Sequence, residues 1–354
     1  MTAAVVELVV PDGIEDPTRP SGGNTYDRRL RDGLAATGWA VHTRPVAGDW
    51  PWPGDAARCA LAATLHTIAD GAAVVVDGLV ASTVPEVMVP ASRRLRVVVL
   101  VHMPVGDPDG HPDSLDRQHA VLGAARAVLT TSDWSRRWLL ATYRLDPGRV
   151  HTAHPGVDLA EPATGDGDGG ALVCVGAVVP GKGHDVLLAA LAEVADLPWH
   201  CLCVGSLTRA PEFVAELRGR LRDLALEDRV VLAGPRVGRA LDEAYAGSDV
   251  LILASRAETY GMVVTEALAR AVPVVASHVG GVPESLGATR DGRRPGLLVP
   301  PGDVGSLASA VRRWLQEADL RSDLRRAARD RRVELSGWPE TADRVSRVLL
   351  EVTS

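Results

Sequence analysis

V-G-A-V-V-P-G-K-G-H-D, Val175 to Asp185, runs from an apolar strand pattern through a glycine loop into the start of a helix pattern. Lys182 in that loop is the one lysine among the chain's 38 basic residues. A composition so biased points to pressure towards arginine, and a lysine that persists against it invites a functional reading. Lysine is a compact point charge on a flexible stem, suited to a single phosphate oxygen. Strand, glycine loop, lysine and helix start is a common way to hold a phosphate. The plain alternative is a chance survivor in a surface turn, and the neighbouring sequence has to decide.

Outward from this loop the pattern repeats. Leu172–Val175, Cys201–Val204, Val230–Ala233, Val250–Leu253 and Val274–Ala276 read as strands with helical patterns between them, and two helices follow from Val304 and Leu320. Upstream, Val5–Val10, Ala40–Arg44, Val74–Asp77, Arg96–Val101, Ala127–Thr130 and Val150–Ala153 give a second set, again alternating with helical stretches. Ser132 or Asp133 would cap the helix from Trp134 to Ala141. Strand–helix alternation of this kind predicts parallel α/β sheets, here two in succession. Leu159–Gly170, L-A-E-P-A-T-G-D-G-D-G-G, has no apolar period and reads as a flexible interdomain linker. It precedes a strand instead of following one, and it lacks the closing Glu of a calcium loop. The stretch from Gly337 reads as one more helix, with Pro339 in its first turn and Ala342, Val345 and Leu349 along one face. The expected domains are 1–160 plus 336–354, and 171–335.

Composition narrows the function classes. With 354 residues the chain is long enough for two domains, and a 46% hydrophobic share fits a globular chain. A net charge of −7 argues against a general nucleic-acid binder. The short arginine runs at Arg28–Arg31, Arg93–Arg96 and Arg136–Arg137 read as solvated faces. Cys201 and Cys203, two apart in a strand, read as small buried hydrophobes. No leader pattern opens the sequence and no apolar run suits a bilayer, so a cytoplasmic protein without membrane insertion is expected.

Ligands of open parallel sheets bind beyond the carboxyl ends of strands. The residues that fall there are Gly22, Gly23, His102, Lys182, Arg209, Glu258, Gly280 and Gly281. The most specific stretch is S-R-A-E-T-Y-G-M-V-V-T-E-A-L-A, Ser255 to Ala269. Glu258 lies in a loop after a strand, Gly261 permits a tight turn, and a helix begins near Met262. Its first N–H groups lack intrahelical partners and suit an anion. Glu266, inside that helix, could accept from the two hydroxyls of a ribose.

Together these segments resemble family 4 glycosyltransferases. E-T-Y-G-M-V-V-T-E-A-L-A resembles that family's motif of two glutamates separated by seven residues. V-G-A-V-V-P-G-K-G, G-S-D-V-L-I-L-A-S, G-G-V-P-E and G-L-L-V-P-P-G-D match in order and spacing, so the resemblance covers the second half of the chain. In the first half it rests on Ser21-Gly22-Gly23, on His102 in V-L-V-H-M-P, and on T-S-D-W-S. The resemblance implies a GT-B architecture: α/β, two facing Rossmann-like domains, with a C-terminal helix crossing back to the first. It implies a retaining, metal-independent hexosyltransferase that takes a nucleotide sugar, expected to carry uridine diphosphate, and needs no cofactor. By the same resemblance Lys182 holds the donor diphosphate, Glu258 contacts the donor sugar, and Glu266 binds the ribose. Backbone at Gly261, Met262 and Val263 meets phosphate or sugar, Gly22 and Gly23 let a loop approach the donor, and His102 contacts the transferred sugar.

One departure stands out. The family pattern usually has arginine after the glycine that corresponds to Gly176, and here the residue is Ala177. Arg209, after another strand end, is the favoured substitute, with Arg256 as the second candidate. His102 also has a bland reading as a hydrogen-bonded structural histidine. Two further readings stay open: a non-catalytic nucleotide-sugar binder, and a different reaction on the same architecture, such as epimerisation or the coupling of non-sugar rings. The expected acceptor is a small soluble molecule, which the sequence does not identify.

Overall fold

A computed structural model describes residues 4–18, 20–105 and 113–354; residues 1–3 of the opening stretch lie outside them. The chain divides into two compact units. Unit 1 comprises Met1–Asp16, Gly22–Gly156 and Gly337–Ser354, and unit 2 comprises Pro17–Ser21 and Val157–Ser336.

Unit 1 alternates strands and helices: β1 (Val5–Pro11), α1 (Gly22–Ala36), β2 (Ala40–Val46), α2 (Asp55–His66), β3 (Ala73–Asp77), α3 (Gly78–Ala81), α4 (Pro85–Ser92), β4 (Arg96–Val101), α5 (Ser114–Ala124), β5 (Ala127–Thr130), α6 (Asp133–Tyr143) and β6 (Val150–Thr152). All six strands are parallel, in the order β2-β1-β3-β4-β5-β6. β3 is buried along its whole length, and the following valines pair with those of β4, Val75 opposite Val98. Such continuous apolar runs are what a sheet covered on both faces requires. Ser132 caps α6, its Oγ accepting from the Ser135 N–H at 3.0 Å.

Unit 2 repeats the scheme: β7 (Ala171–Val175), α7 (His184–Ala192), β8 (His200–Val204), α8 (Pro211–Asp223), β9 (Val230–Leu232), α9 (Arg239–Ala246), β10 (Val250–Leu253), α10 (Met262–Leu268), β11 (Val274–Ser277), α11 (Val282–Leu286), β12 (Gly296–Val299), α12 (Val304–Gln316) and α13 (Ala318–Arg332). The parallel order is β12-β11-β10-β7-β8-β9. Cys201 and Cys203 are buried in β8, where Cys174 faces Cys203 in register; Cys59 on α2 is exposed. β12 is a strand that the sequence reading does not mark.

Leu159–Gly170 is not a flexible linker. The Ala163 N–H donates to Arg270 O at 2.8 Å, and Thr164 and Gly165 both donate to Ala246 O at 3.1 Å. Asp166 Oδ1 accepts from the Asp168 and Gly169 amides at 3.0 and 3.1 Å. The buried Trp314 indole donates to Gly169 O at 2.8 Å. Composition misleads here because Asp and Gly serve turns that bond their own backbone as readily as they serve open chain. The arginine runs are likewise anchored in part: Arg28 donates to Ile14 O at 2.8 Å, and Arg136 to Val150 O at 2.7 Å.

The last helix, α14 (Trp338–Thr353), belongs to unit 1. It packs on α1, where a Cβ on Gly33 would come within 2.7 Å of Ala342 Cβ. Trp39 Nε1 donates to Ser346 Oγ at 2.8 Å, and Thr341 Oγ1 to His154 O at 2.7 Å. Ala342, Val345 and Leu349, the face expected from the sequence, are buried.

Candidate active site

In unit 2 the strand order reverses between β7 and β10, the chain's first and fourth strands of that sheet. A crevice beyond the strand ends at such a reversal is where ligands of open α/β sheets bind. Lys182 comes from the loop after β7 and Glu258 from the loop after β10. The Lys182 Nζ donates to Glu258 Oε1, and Ser255 Oγ donates to the same oxygen at 2.9 Å. Lys182 is about one-third exposed and Glu258 one-tenth, 31% and 10% of their side chains. A paired cation that still meets solvent is available to a ligand.

Close backbone approach holds these loops together. Gly183 has φ +67°, and a Cβ there would lie 2.0 Å from Ala254 O. A Cβ on Gly280 would lie 1.7 Å from Glu258 O, and Gly281 N–H donates to that carbonyl at 3.1 Å. Gly280 and Gly281 therefore abut the Glu258 loop, as their place after β11 suggests. The loop after β8 joins the same edge: Val178 N–H donates to Ser206 O at 2.9 Å. Arg209, three residues further on, is exposed there. Arg256 is engaged elsewhere, with both terminal nitrogens on Asp185 at 2.8 and 2.7 Å and Nη1 on Pro180 O at 2.7 Å. Of the two candidates to replace the arginine absent at Ala177, Arg209 is the one not held in such a fork.

α10 starts at Met262 after Gly261, which takes the left-handed φ +85° that the turn needs. Met262 and Val263 are half-buried at its first positions, where backbone N–H groups have no intrahelical acceptor. Glu266 follows one turn later. Tyr245 OH donates to Glu266 Oε2 at 2.9 Å, and Arg270 lies over the Tyr245 ring, 4.8 Å from its centroid. Burial raises the Glu266 carboxyl above its ordinary value, partly offset by the Tyr245 hydrogen bond and the Arg270 charge. Ser255 and Tyr245 are site residues that the sequence reading does not single out. Tyr245, in the helix before β10, carries no local signal for that role.

In unit 1 the strand order turns between β1 and β3. Gly22 and Gly23 open α1 beside that point, and His102 follows β4. A Cβ on Gly23 would sit 3.4 Å from His102 Cδ2, an ordinary contact, so the helix start lies against the imidazole. His102 Nε2 bonds Asp27 Oδ1 at 2.9 Å. Tyr26 meets the ring edge-on at 5.2 Å, and Trp338 meets Tyr26 in the same way at 5.7 Å. Asp77, at the end of β3, closes the cluster and accepts from the Leu79 N–H at 2.7 Å. Atoms of Asp27, Asp77 and His102 lie within 4.8 Å of one another. The three side chains form one polar cluster joined by the Nε2–Oδ1 hydrogen bond. Asp27 and Asp77 are absent from the sequence reading.

Among the described residues, no helix is long and apolar enough to cross a membrane.

Comparisons with known proteins agree with this geometry. Residues 169–317 match the family model described as glycosyl transferases group 1. A D-inositol 3-phosphate glycosyltransferase of Kineococcus radiotolerans is 34% identical over 253 residues, 64% of this chain and 57% of that protein. D-inositol 3-phosphate glycosyltransferase 1 of Catenulispora acidiphila is 30% identical over 294 residues, 77% of this chain and 68% of that protein. The matches thus span between about half and two-thirds of these relatives' lengths. Among solved structures, Anabaena Alr3699/HepE in complex with UDP and glucose superposes with a TM-score of 0.78 at 18% identity, covering 98% of this chain and 99% of that one. Sucrose-phosphate synthase from Thermosynechococcus elongatus gives 0.76 at 21% identity, covering 99% of both chains.

The fold is therefore GT-B, two parallel α/β units of six strands each. The chain belongs to the group 1 glycosyltransferases.

Proposed function

We propose that this protein is a retaining, metal-independent glycosyltransferase that moves a hexose from a uridine diphosphate sugar to a hydroxyl of a small soluble acceptor in the cytoplasm. The observation that carries the reading is the Lys182–Glu258 pair at the strand-order reversal of unit 2. In the reaction the bond between the sugar's anomeric carbon and the diphosphate oxygen breaks, and its electron pair leaves on the diphosphate. The acceptor oxygen bonds to the anomeric carbon as its proton passes to the departing diphosphate oxygen. Lys182, with Arg209, would stabilise the charge that grows on the leaving diphosphate. Glu258 would accept from donor-sugar hydroxyls, Glu266 would accept from the ribose, and the Gly261, Met262 and Val263 backbone would meet phosphate or sugar. Gly22 and Gly23 would admit the donor beside His102.

The compound in the relatives' names, D-inositol 3-phosphate, is a small phosphorylated polyol, and this supports an acceptor of that size and polarity. UDP in the HepE complexes supports the nucleotide. Four free cysteines, three of them buried, support a reducing compartment. The test is incubation with a panel of UDP- and other nucleotide sugars, with and without polyol acceptors, followed by mass spectrometry and determination of the product's anomeric configuration. A glycoside of unchanged configuration, formed with a chelator present, supports the proposal. An inverted or metal-requiring product removes those parts of it.

Ala177 favours a second reading, a nucleotide-sugar binder without turnover, because an arginine is missing beside the diphosphate position. Calorimetry that finds donor binding, with neither hydrolysis nor transfer over the same panel, would favour it. An isomerised sugar or a coupled non-sugar ring would instead indicate another reaction on this architecture.

A further inference from the structure

His102 carries a role in the proposed function only as a residue that contacts the sugar. Its surroundings say which protonation state it brings. Asp27 is fully buried and Asp77 is 3% exposed. His102 keeps 17% of its side chain open. Asp27 Oδ1 is taken by His102 Nε2, while Asp27 Oδ2 is buried without a hydrogen-bond partner in the structure. An acceptor left bare in such a place costs about 1–3 kcal/mol. The neighbouring polar group that can meet it is the Asp77 carboxyl. Two carboxyls can bond each other only if a proton lies between them, because two buried like charges cannot both persist.

We infer that Asp27 and Asp77 are positioning residues that share one proton, and that the single negative charge left between them keeps both ring nitrogens of His102 protonated at neutral pH. The inference rests on the reading of His102 as a ligand-contacting residue. His102 Nε2–H then donates to Asp27 Oδ1, and Nδ1–H is the donor that remains for a ligand oxygen. A ring in this state offers a cation and a hydrogen-bond donor and is no base. It suits an oxygen that gains negative charge, or a hydroxyl or phosphate acceptor, rather than a hydroxyl that must be deprotonated.

The electrostatics agree with the geometry. Burial opposes a charged His102, but the charges of Asp27 and Asp77 and the Asp27 hydrogen bond outweigh it and raise the ring to about 9. Burial and the Asp27 charge push Asp77 up to about 7, against the His102 charge and the Leu79 N–H. Among the described residues, Tyr26 and Arg344 also bear on this cluster. Tyr26 donates its hydroxyl to Ala153 O at 2.9 Å, α14 brings Trp338, and its Arg344 acts at Tyr26.

Asparagine at either carboxyl separates the inference from a merely structural role. In Asp77→Asn the amide N–H can replace the shared proton and donate to Asp27 Oδ2, so His102 stays protonated. In Asp27→Asn the carboxylate that His102 Nε2–H donates to is replaced by a neutral amide, any remaining charge sits on Asp77, and the His102 titration falls by about 2 pH units. The measurement is NMR of full-length protein with 15N-labelled histidine, with the His102 signal assigned by its loss in His102→Gln. It needs no turnover, so it succeeds or fails independently of the transferase reading. The expected result is an imidazolium signature at pH 7.5 in the wild type and in Asp77→Asn, lost in Asp27→Asn. If Asp27→Asn does not fold, the wild type and Asp77→Asn still decide. A wild-type ring that titrates near the ordinary value of about 6.5 overturns the inference. So does an Asp77→Asn ring that has lost its second proton, or a ring signal shifted by stoichiometric Mg²⁺ or Zn²⁺.

Discussion

Lys182 and Glu258, 76 positions apart in sequence, are joined Nζ to Oε1 at the edge of one parallel sheet. The chain's one lysine is therefore held by the first glutamate of the paired motif, with Ser255 steadying the carboxylate. Lys182→Ala and Glu258→Ala should each lower transfer by roughly 10²–10³-fold while the thermal transition stays cooperative. Lys182→Arg keeps the charge but replaces a point donor with a planar fork. It should recover only part of the activity, and wild-type rates in that variant would make the persistence of this lysine an accident of composition.

Arg209 and Arg256 should behave differently. Arg209→Ala should raise the donor KM about tenfold, the equivalent of about 1.4 kcal/mol. Arg256→Ala breaks a partly exposed pair with Asp185 and should change stability by less than about 1 kcal/mol, with little effect on donor KM. Steady-state kinetics with varied donor would reveal a reversal of the two.

Tyr245→Phe removes the hydroxyl that donates to Glu266 Oε2 across 2.9 Å. A partly buried carboxylate without that partner should lower stability by about 1–3 kcal/mol in urea unfolding. Nucleotide affinity should weaken in the same variant, as read by calorimetry with UDP. Unchanged values in both would mean that Tyr245 does not orient Glu266.

Gly156→Ala tests the entry to α14. A Cβ there would lie 2.3 Å from Trp338 N and 2.5 Å from Gly337 O, both backbone atoms that cannot swing away. The expected loss is about 1–3 kcal/mol of stability, seen as an earlier urea midpoint with proteolysis within 337–354.

Stability should also fall from pH 6 towards pH 9. His102 rises from 6.5 to about 9, so its contribution is complete below 6.5 and is lost as pH climbs through about 9. Asp77 rises from 3.8 to about 7, so its contribution is lost as pH climbs through about 7. Both slopes have the same sign. Thermal melts of the wild type should therefore drop across this window, and Asp77→Asn should remove the lower part of the slope. A flat profile would contradict both assignments.

Much of this architecture is legible in the sequence, for a physical reason. Parallel strands buried on both faces need unbroken apolar runs, and Arg96–Val101, Ala127–Thr130 and Val250–Leu253 are such runs with the bounds the structure gives them. Lys182, Glu258 and the paired glycines are legible because charge and glycine stand out after such runs. The histidine cluster is not, because Asp27 reads as one more polar residue in a helix. Its signal was its place: Asp27, Leu30 and Leu34 share the buried face of α1 at helical spacing, and a carboxylate there needs a partner. Asp77 and His102 then become partners only through the sheet order. Leu159–Gly170 fails in the opposite direction, since a segment rich in Gly and Asp is indistinguishable from open linker until its amides are seen to find acceptors in unit 2.

The return of α14 to unit 1 fixes an order of manufacture. Synthesis runs through residues 157–336 before it reaches Trp338, so every strand of unit 2 leaves the ribosome while unit 1 still lacks the helix that covers α1. Trp338 stands against Tyr26, and Tyr26 stands against His102. The lysine–glutamate pair can thus be in place on a nascent chain whose histidine cluster still lacks a wall. A chain cut short after unit 2 would keep the lysine–glutamate pair and lack the finished histidine cluster.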